Sequence, residues 1–246
     1  RFCRWNSAHA AARAEADRPI RTELDGVHGI DMARTKTSSA HTSADLDLGP
    51  YLMEPTSPLD WPAVFGNDNP VEVEIGSGKG LFLISAATQK SARNYFGVEI
   101  APKFARFAAD RLAKQSLANA RIARADARRV LTEWIADASV AVLHIYFPDP
   151  WWKRRHRKRR VFNEHFVADA ARILQPGGEL RFASDVEEYF DVMQELVSQH
   201  PAFVALESSP SLDPQNGVDC LTNFERKYRK VGKAIFRANF RRTEYS

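Results

Sequence analysis

Apolar and polar positions fall into a regular pattern from Pro70 onward. Short runs rich in Val, Ile, Phe and Tyr alternate with longer stretches whose apolar residues recur every three to four positions. This alternation predicts an α/β protein with a mostly parallel sheet, because parallel strands need crossover helices that cover both faces. Strands are predicted at 71–75 (VEVEI), 94–100 (NYFGVEI), 120–125 (ARIARA), 139–147 (SVAVLHIYF) and 179–184 (ELRFAS). Pro102 suits the first turn of a helix expected to bury Phe104, Phe107, Ala108 and Leu112. Phe162, Phe166, Ala170 and Leu174 form an i, i+4 stripe that Pro176, Gly177 and Gly178 should end, and Val186, Tyr189, Phe190, Met193 and Val197 repeat the spacing on the next helix. Two later runs, 202–207 and 234–240, read as a closing pair of strands.

The first fifty residues carry no such pattern. Ala, Arg, Ser, Thr and Asp alternate without a sustained apolar period, so residues 1–50 are expected to be a disordered tail and residues 51–246 the domain. The first methionine is Met32, and a start there would make residues 1–31 an upstream extension. The alternative is a mildly amphipathic helix around His9 to Ala16.

Composition narrows the class. With 246 residues, 44% of them hydrophobic and 27% charged, the chain has ample material for one large core and is neither fibrous nor disordered throughout. No apolar run approaches the roughly 20 residues of a bilayer span, so no membrane association is expected. Cys3 and Cys220 are far apart and match no metal spacing. They read as free thiols in a reducing compartment, with no bound metal. The net charge of +4 hides a strong asymmetry: residues 153–160 (KRRHRKRR) hold seven Lys or Arg and no acid, and residues 221–246 contribute +6, which leaves −9 for the remainder. Positive charge gathered into two stretches is the footprint of a polyanion binder.

The run Glu74-Ile75-Gly76-Ser77-Gly78-Lys79-Gly80 follows a predicted strand and opens a helix. Glycines there let a nucleotide-like ligand approach the backbone, because no Cβ blocks it. The dinucleotide pattern GxGxxG would need glycine at 81, where Leu81 stands, so ExGxGxG fits S-adenosylmethionine (SAM) better. Gly76 and Gly78 are the candidate cradle; the competing reading is a merely tight turn. Glu99 ends the second predicted strand, where a carboxylate can accept from both ribose hydroxyls. Asp126 ends the third and can accept from the adenine amine, although it would also cap the helix begun by Ala127. Glu74 would add negative charge near the aminoacyl end of a cationic ligand. The fourth strand runs into Phe147-Pro148-Asp149-Pro150-Trp151-Trp152. Two prolines fix φ around Asp149, which places a stiffly held carboxylate beside the cofactor, as cofactor contact and catalytic candidate. At least one of Trp151 and Trp152 is expected in the core. The adjoining basic run, interleaved with Trp and His, favours nucleic acid over a merely solvated charged face.

These residues resemble a known family, the bacterial TrmB-type tRNA (guanine-N7-)-methyltransferases, which are class I SAM enzymes with a Rossmann-like fold. The resemblance covers about residues 70–242. It rests on VEVEIGSGKG, FGVEI, the Ala125-Asp126-Ala127 corner, FPDPWWKRRHRKRR, Ala183-Ser184-Asp185, and Thr222-Asn223-Phe224-Glu225 before a basic tail. It implies methylation of the variable-loop guanine at tRNA position 46, with Glu74, Glu99 and Asp126 on SAM and Asp149 as the catalytic Asp. Lys153, Asp185, Thr222, Asn223, Phe224 and Glu225 match substrate-binding positions. The second Trp of the Pro-Trp-Trp run is unusual for the family, and the first fifty residues match nothing in it.

The chemistry suits these side chains. Guanine N7 carries an in-plane lone pair and no proton, so alignment with the methyl group matters more than a strong base. A carboxylate beside the purine offsets the positive charge that methylation creates, and Asp149 is placed for this, with Asp185 and Glu225 helping to hold the base. The alternatives are a class I methyltransferase acting on another RNA, a protein or a small molecule, and a non-catalytic RNA-binding relative. The protein is expected to be cytoplasmic, to bind tRNA, and to be a monomer or homodimer.

Overall fold

Sheet and helices follow one another as the apolar pattern predicts, over the residues that the computed structural model describes: 46–55, 58–151, 155, 160–206 and 234–244. Residues 1–45 of the expected tail, with Cys3 and Met32, lie outside these, as does Cys220. In chain order the elements are β1 (Leu52–Met53), α1 (Trp61–Phe65), β2 (Val71–Ile75), α2 (Leu81–Gln89), β3 (Asn94–Glu99), α3 (Pro102–Lys114), β4 (Ala120–Arg124) and α4 (Ala127–Arg129). A π-helical turn over Val130–Trp134 leads to β5 (Val140–Tyr146), α5 (Glu164–Ile173), β6 (Leu174–Ser184), α6 (Glu187–Ser198), β7 (Phe203–Ala205) and β8 (Phe236–Arg242). None of the described helices is long and apolar enough to cross a membrane.

The strands form one sheet in the order β1-β4-β3-β2-β5-β6-β8-β7. Neighbours from β1 through β6 are parallel, while β8 runs antiparallel to both β6 and β7. This is a Rossmann-like sheet with an antiparallel closing pair. Its strand order reverses between β2 and β5, and ligands bind doubly wound sheets at such a point, beyond the strand C-termini.

Two cores sandwich the sheet. Val71, Val73 and Ile75 of β2, Phe96 and Val98 of β3, and Leu143 and Ile145 of β5 pack with α1, α5, α6 and the π-turn. On the opposite face α2 and α3 pack on Tyr95, Ala120 and Ile122. Alternation along β2 therefore sends Glu72 and Glu74 to the α2/α3 side. Both are buried, which is uncommon for carboxylates on a central strand.

Three expectations need correction. Helix α3 buries Ala105, Ala108, Ala109 and Leu112, whereas Phe104 and Phe107 are exposed, at 39% and 46%. The cause is a close approach: a Cβ on Gly80 would lie 2.8 Å from Ala108 Cβ, so only small side chains fit between helix and loop. Strand β6 begins at Leu174, not at 179, because Leu174 pairs with Val140 across an irregularity that accommodates Gln175 to Gly178. Strand β8 runs from 236 to 242, two residues later than its apolar run implied, since its pairing with β6 extends to Arg241 opposite Glu179.

Candidate functional site

Strand β2 ends in a loop that three glycines make possible. Gly76, Gly78 and Gly80 have φ of 76°, 53° and 70°, in the left-handed region that costs other residues about 1–2 kcal/mol. Gly76 and Gly78 have nothing within 4 Å of where a Cβ would stand, so open space lies above the loop. The N–H groups of Gly76 and Ser77 both donate to Val98 C=O, at 2.9 and 3.1 Å, which ties the loop to the end of β3.

Glu99, buried at the end of β3, completes the tie. Its Oε2 accepts from Gly78 N–H and its Oε1 from Ala101 N–H, both at 2.8 Å. Glu74 sits beneath, 4% exposed, and its Oε2 has no hydrogen-bond partner among the described residues. Burial, joined by the charge of Glu99, pushes its carboxyl up to about 8 against the weaker opposing effect of the Ser77 hydroxyl. An uncompensated buried carboxyl is expensive, and a cationic ligand group lying over the loop would relieve it. The donor set thus fits a cofactor carrying ribose hydroxyls and a positive charge.

Asp126 follows β4 and caps α4. Its Oδ1 accepts from Arg128 N–H at 3.0 Å, and its Oδ2 lies 2.9 Å from Arg128 Nη2. The Arg128 hydrogen bond holds this carboxyl below its usual range. The helix-capping role open to Asp126 from its sequence context is therefore present.

The loop after β5 is strained on both sides of its aspartate. Phe147 and Trp151 have φ of 53° and 39°, positions that cost non-glycine residues about 1–3 kcal/mol each unless the surroundings enforce them. Phe147 N–H donates to Ala183 C=O at 2.8 Å, and Arg160 Nε–H donates to Pro150 C=O at 2.7 Å. Between these anchors Asp149 is exposed and Trp151 half-buried. The Arg160 guanidinium also lies over the Tyr189 ring, 4.9 Å from its centroid. Burial pushes the Tyr189 hydroxyl up to about 12, with Arg160 opposing and the Asp149 charge adding to the rise, which places Asp149 toward α6. Asp185, half-buried, occupies the corner between β6 and α6, where Ser184 Oγ accepts from Val186 N–H at 3.1 Å.

The sheet thus gathers Glu74, Gly76, Gly78 and Glu99 into one hydrogen-bonded unit, and sets Asp149 and Asp185 at the ends of adjacent strands. Asp126 stands apart, paired with its own helix. Trp152, Lys153 and Thr222 to Glu225 lie outside the described residues, as does the basic run except Arg155 and Arg160. Sequence reasoning missed a buried chain on β2 and β5: His144 bridges Glu72 and Tyr146, and Glu72 also pairs with Arg93. Its signal was a histidine and a glutamate inside otherwise apolar strands.

Known proteins match this arrangement. Residues 68–238 match the family described as "Putative methyltransferase". A tRNA (guanine-N(7)-)-methyltransferase of Rhodopirellula baltica is 40% identical over 209 residues, covering 80% of this chain and 76% of the relative. Another from Dechloromonas aromatica is 35% identical over 211 residues, covering 85% of each. Among solved structures, an antibiotic-related methyltransferase superposes with a TM-score of 0.52 at 14% identity, covering 76% of this chain and 96% of that one, a likeness of fold.

Proposed function

Because the chain belongs to the family of tRNA (guanine-N(7)-)-methyltransferases, we propose that it methylates N7 of a guanine in tRNA, the variable-loop guanine at position 46, with S-adenosylmethionine as methyl donor. The observation that carries this reading is the buried Glu74 carboxyl, with one oxygen unpartnered, beneath an open glycine loop at the sheet's reversal point.

S-adenosylmethionine supplies an electrophilic methyl group on a positively charged sulfur. The backbone at Gly76 and Gly78 lets it lie close, and Glu99 accepts from its ribose hydroxyls. A carboxylate has about four lone-pair sites, so Glu99 can do this while keeping Gly78 and Ala101 N–H. Glu74 supplies negative charge at the aminoacyl end, and Asp126 accepts from the adenine amine at the edge not used by Arg128. Asp149, held by Pro148 and Pro150, faces the guanine. Its charge offsets the cation that forms on the purine as N7 is alkylated.

No base needs to remove a proton from N7, so rate enhancement comes from alignment and electrostatics. Asp185 and the segment Thr222, Asn223, Phe224 and Glu225 hold the base, and Lys153 and the basic run engage phosphates. Turning the guanine out of the tRNA core costs a few kcal/mol, which phosphate contacts offset. The partner is tRNA and the setting the cytoplasm. Incubation of the full chain with methyl-labelled S-adenosylmethionine and total tRNA, followed by mapping of the label, tests the reading. Label on N7 of a variable-loop guanine is expected; label on another atom or no transfer would overturn it.

A further inference from the structure

One buried polar chain has no task in the chemistry above. His144, 1% exposed, places Nε2 2.8 Å from Glu72 Oε2 and Nδ1 2.8 Å from the Tyr146 hydroxyl. Glu72 Oε1 in turn lies 3.0 Å from Arg93 Nη1. Burying an imidazole and a carboxylate on adjacent central strands is costly relative to apolar packing, so their retention calls for a reason beyond filling space.

Hydrogen-bond polarity supplies one. Burial holds His144 below its ordinary range, outweighing the hydrogen bond from Glu72, so the ring is neutral and carries a single N–H. Burial acts to raise Glu72, but the His144 hydrogen bond and the neighbouring charges, Arg93 among them, outweigh it and keep the group a carboxylate. A carboxylate only accepts, so the ring proton is on Nε2 and Nδ1 is a lone pair. The Tyr146 hydroxyl must therefore donate inward, to Nδ1. Any group that meets its oxygen from another side must donate to it.

Place and charge identify that group. Ile75 and Ile145 are register partners, so Tyr146, the next residue, ends its strand beside Gly76. Phe82, in the first turn after the glycine loop, has its ring 5.3 Å from that of Tyr146 and 4.5 Å from that of His144. Glu74 is the register partner of His144 and shares its face, and Glu99 ends the neighbouring strand on that face. An acceptor oxygen beside buried carboxyls suits a cation bearing N–H groups and repels a carboxylate or phosphate.

We infer that Tyr146 is a cofactor-binding residue whose oxygen accepts a hydrogen bond from the α-ammonium group of S-adenosylmethionine, with His144 and Glu72 as positioning residues that keep the hydroxyl proton turned inward. This rests on the methyltransferase reading. It adds a second contact to the cation that Glu74 attracts.

Calorimetry on the full chain tests it with two probes: S-adenosylhomocysteine, which has the ammonium group, and 5′-methylthioadenosine, which lacks the whole aminoacyl part. Tyr146→Phe is expected to bind the first about tenfold more weakly and the second unchanged, as loss of one charge-assisted hydrogen bond requires. Turnover at saturating S-adenosylmethionine should stay within about twofold and the KM for tRNA should not move, while the KM for S-adenosylmethionine rises. His144→Phe should weaken S-adenosylhomocysteine binding severalfold, yet add little to Tyr146→Phe, because the two act through one oxygen. Unchanged S-adenosylhomocysteine affinity in Tyr146→Phe overturns the inference, as does equal weakening of both probes, which would mark a general distortion. Additive losses in the double variant overturn the positioning role, and if His144→Phe does not fold, the two-probe comparison on Tyr146→Phe still decides. A wild-type chain that binds neither probe overturns the methyltransferase reading, and the inference falls with it.

Discussion

Glu99 and Gly78 are joined by a 2.8 Å hydrogen bond from the glycine N–H to the carboxylate, so the acid assigned to the ribose also holds the cofactor loop in shape. Glu99→Ala should therefore remove a ligand hydrogen bond and loosen the loop together. S-adenosylmethionine affinity is expected to fall by about 1.5–3 kcal/mol, the range for hydrogen bonds to a charged group. Glu99→Gln should fall between the two, because an amide has one acceptor oxygen where the carboxylate has two. Calorimetric titration checks both, and unchanged affinity in Glu99→Ala would remove this residue from the site.

Glu74 makes stability depend on pH in a definite direction. Its folded-state pKa, about 8, lies above the ordinary value of 4.5, so between these the folded protein holds a proton that the unfolded chain has released. Stability from this group is full below about pH 4.5 and falls by up to roughly 1.4 kcal/mol per pH unit until it is lost above about pH 8. Thermal melts of the ligand-free protein from pH 5 to 9 should show the decline, and Glu74→Gln should flatten it. Binding of a cation near Glu74 should expel its proton at pH 7, which calorimetry in buffers of different ionisation enthalpy reads directly. A Glu74→Gln variant as pH-sensitive as the wild type would contradict the assignment.

Glycines 76 and 80 share a left-handed backbone but not a purpose, and alanine substitution separates them. Gly80→Ala adds a clash at 2.8 Å with Ala108 Cβ to the backbone strain, so a loss of about 2 kcal/mol or more is expected. Gly76→Ala meets no atom within 4 Å and should lose only about 1–2 kcal/mol. Its methyl projects into the space proposed for the cofactor, so S-adenosylmethionine binding should suffer more than folding. Equal melting temperatures for the two variants would refute this division.

Most strands were legible because parallel strands buried on both faces read as apolar runs, and Val71–Ile75 was located to the residue. The acids at strand ends were legible because Glu74, Glu99 and Asp126 follow such runs. Whether a residue on an amphipathic helix faces inward was less so: Phe104 and Phe107 are more apolar than Ala105 and Ala109, yet the helix lies too close to Gly80 for large side chains. That distance is a tertiary fact with no local signature. The Glu72–His144–Tyr146 chain was hidden for a related reason, since 72 positions separate its acid from its imidazole and only strand register brings them together.

Arg160 differs from the rest of its basic run. It donates to Pro150 C=O and lies on the Tyr189 ring, so it braces the loop carrying Asp149. Neutralising Arg157, Lys158 and Arg159 together should weaken tRNA binding and reduce its salt slope by roughly 0.7–0.9 for each phosphate no longer neutralised, with S-adenosylmethionine affinity unchanged. Arg160→Gln should instead lower turnover with a smaller change in salt slope. Filter binding over a range of salt, paired with single-turnover rates, distinguishes them; a salt slope unaltered in the triple variant would make that run a solvated face.

Asp149 is exposed, flanked by two prolines and by two residues in left-handed backbone, so its place is set by the loop and not by packing of its side chain. Asp149→Asn preserves size and backbone while removing the charge that would offset the purine cation. Turnover should fall by about 2 kcal/mol in barrier or more, some thirtyfold. The affinity for tRNA should change much less, because phosphate contacts set most of it. Since N7 has no proton to give up, the wild-type rate should show no pH dependence traceable to Asp149 as a base, which separates charge stabilisation from general-base catalysis. Single-turnover rates at saturating S-adenosylmethionine and tRNA are decisive: a wild-type rate in the Asn variant would take Asp149 out of the chemical step and leave Asp185, at the end of the adjacent strand, as the carboxylate nearest in position to replace it.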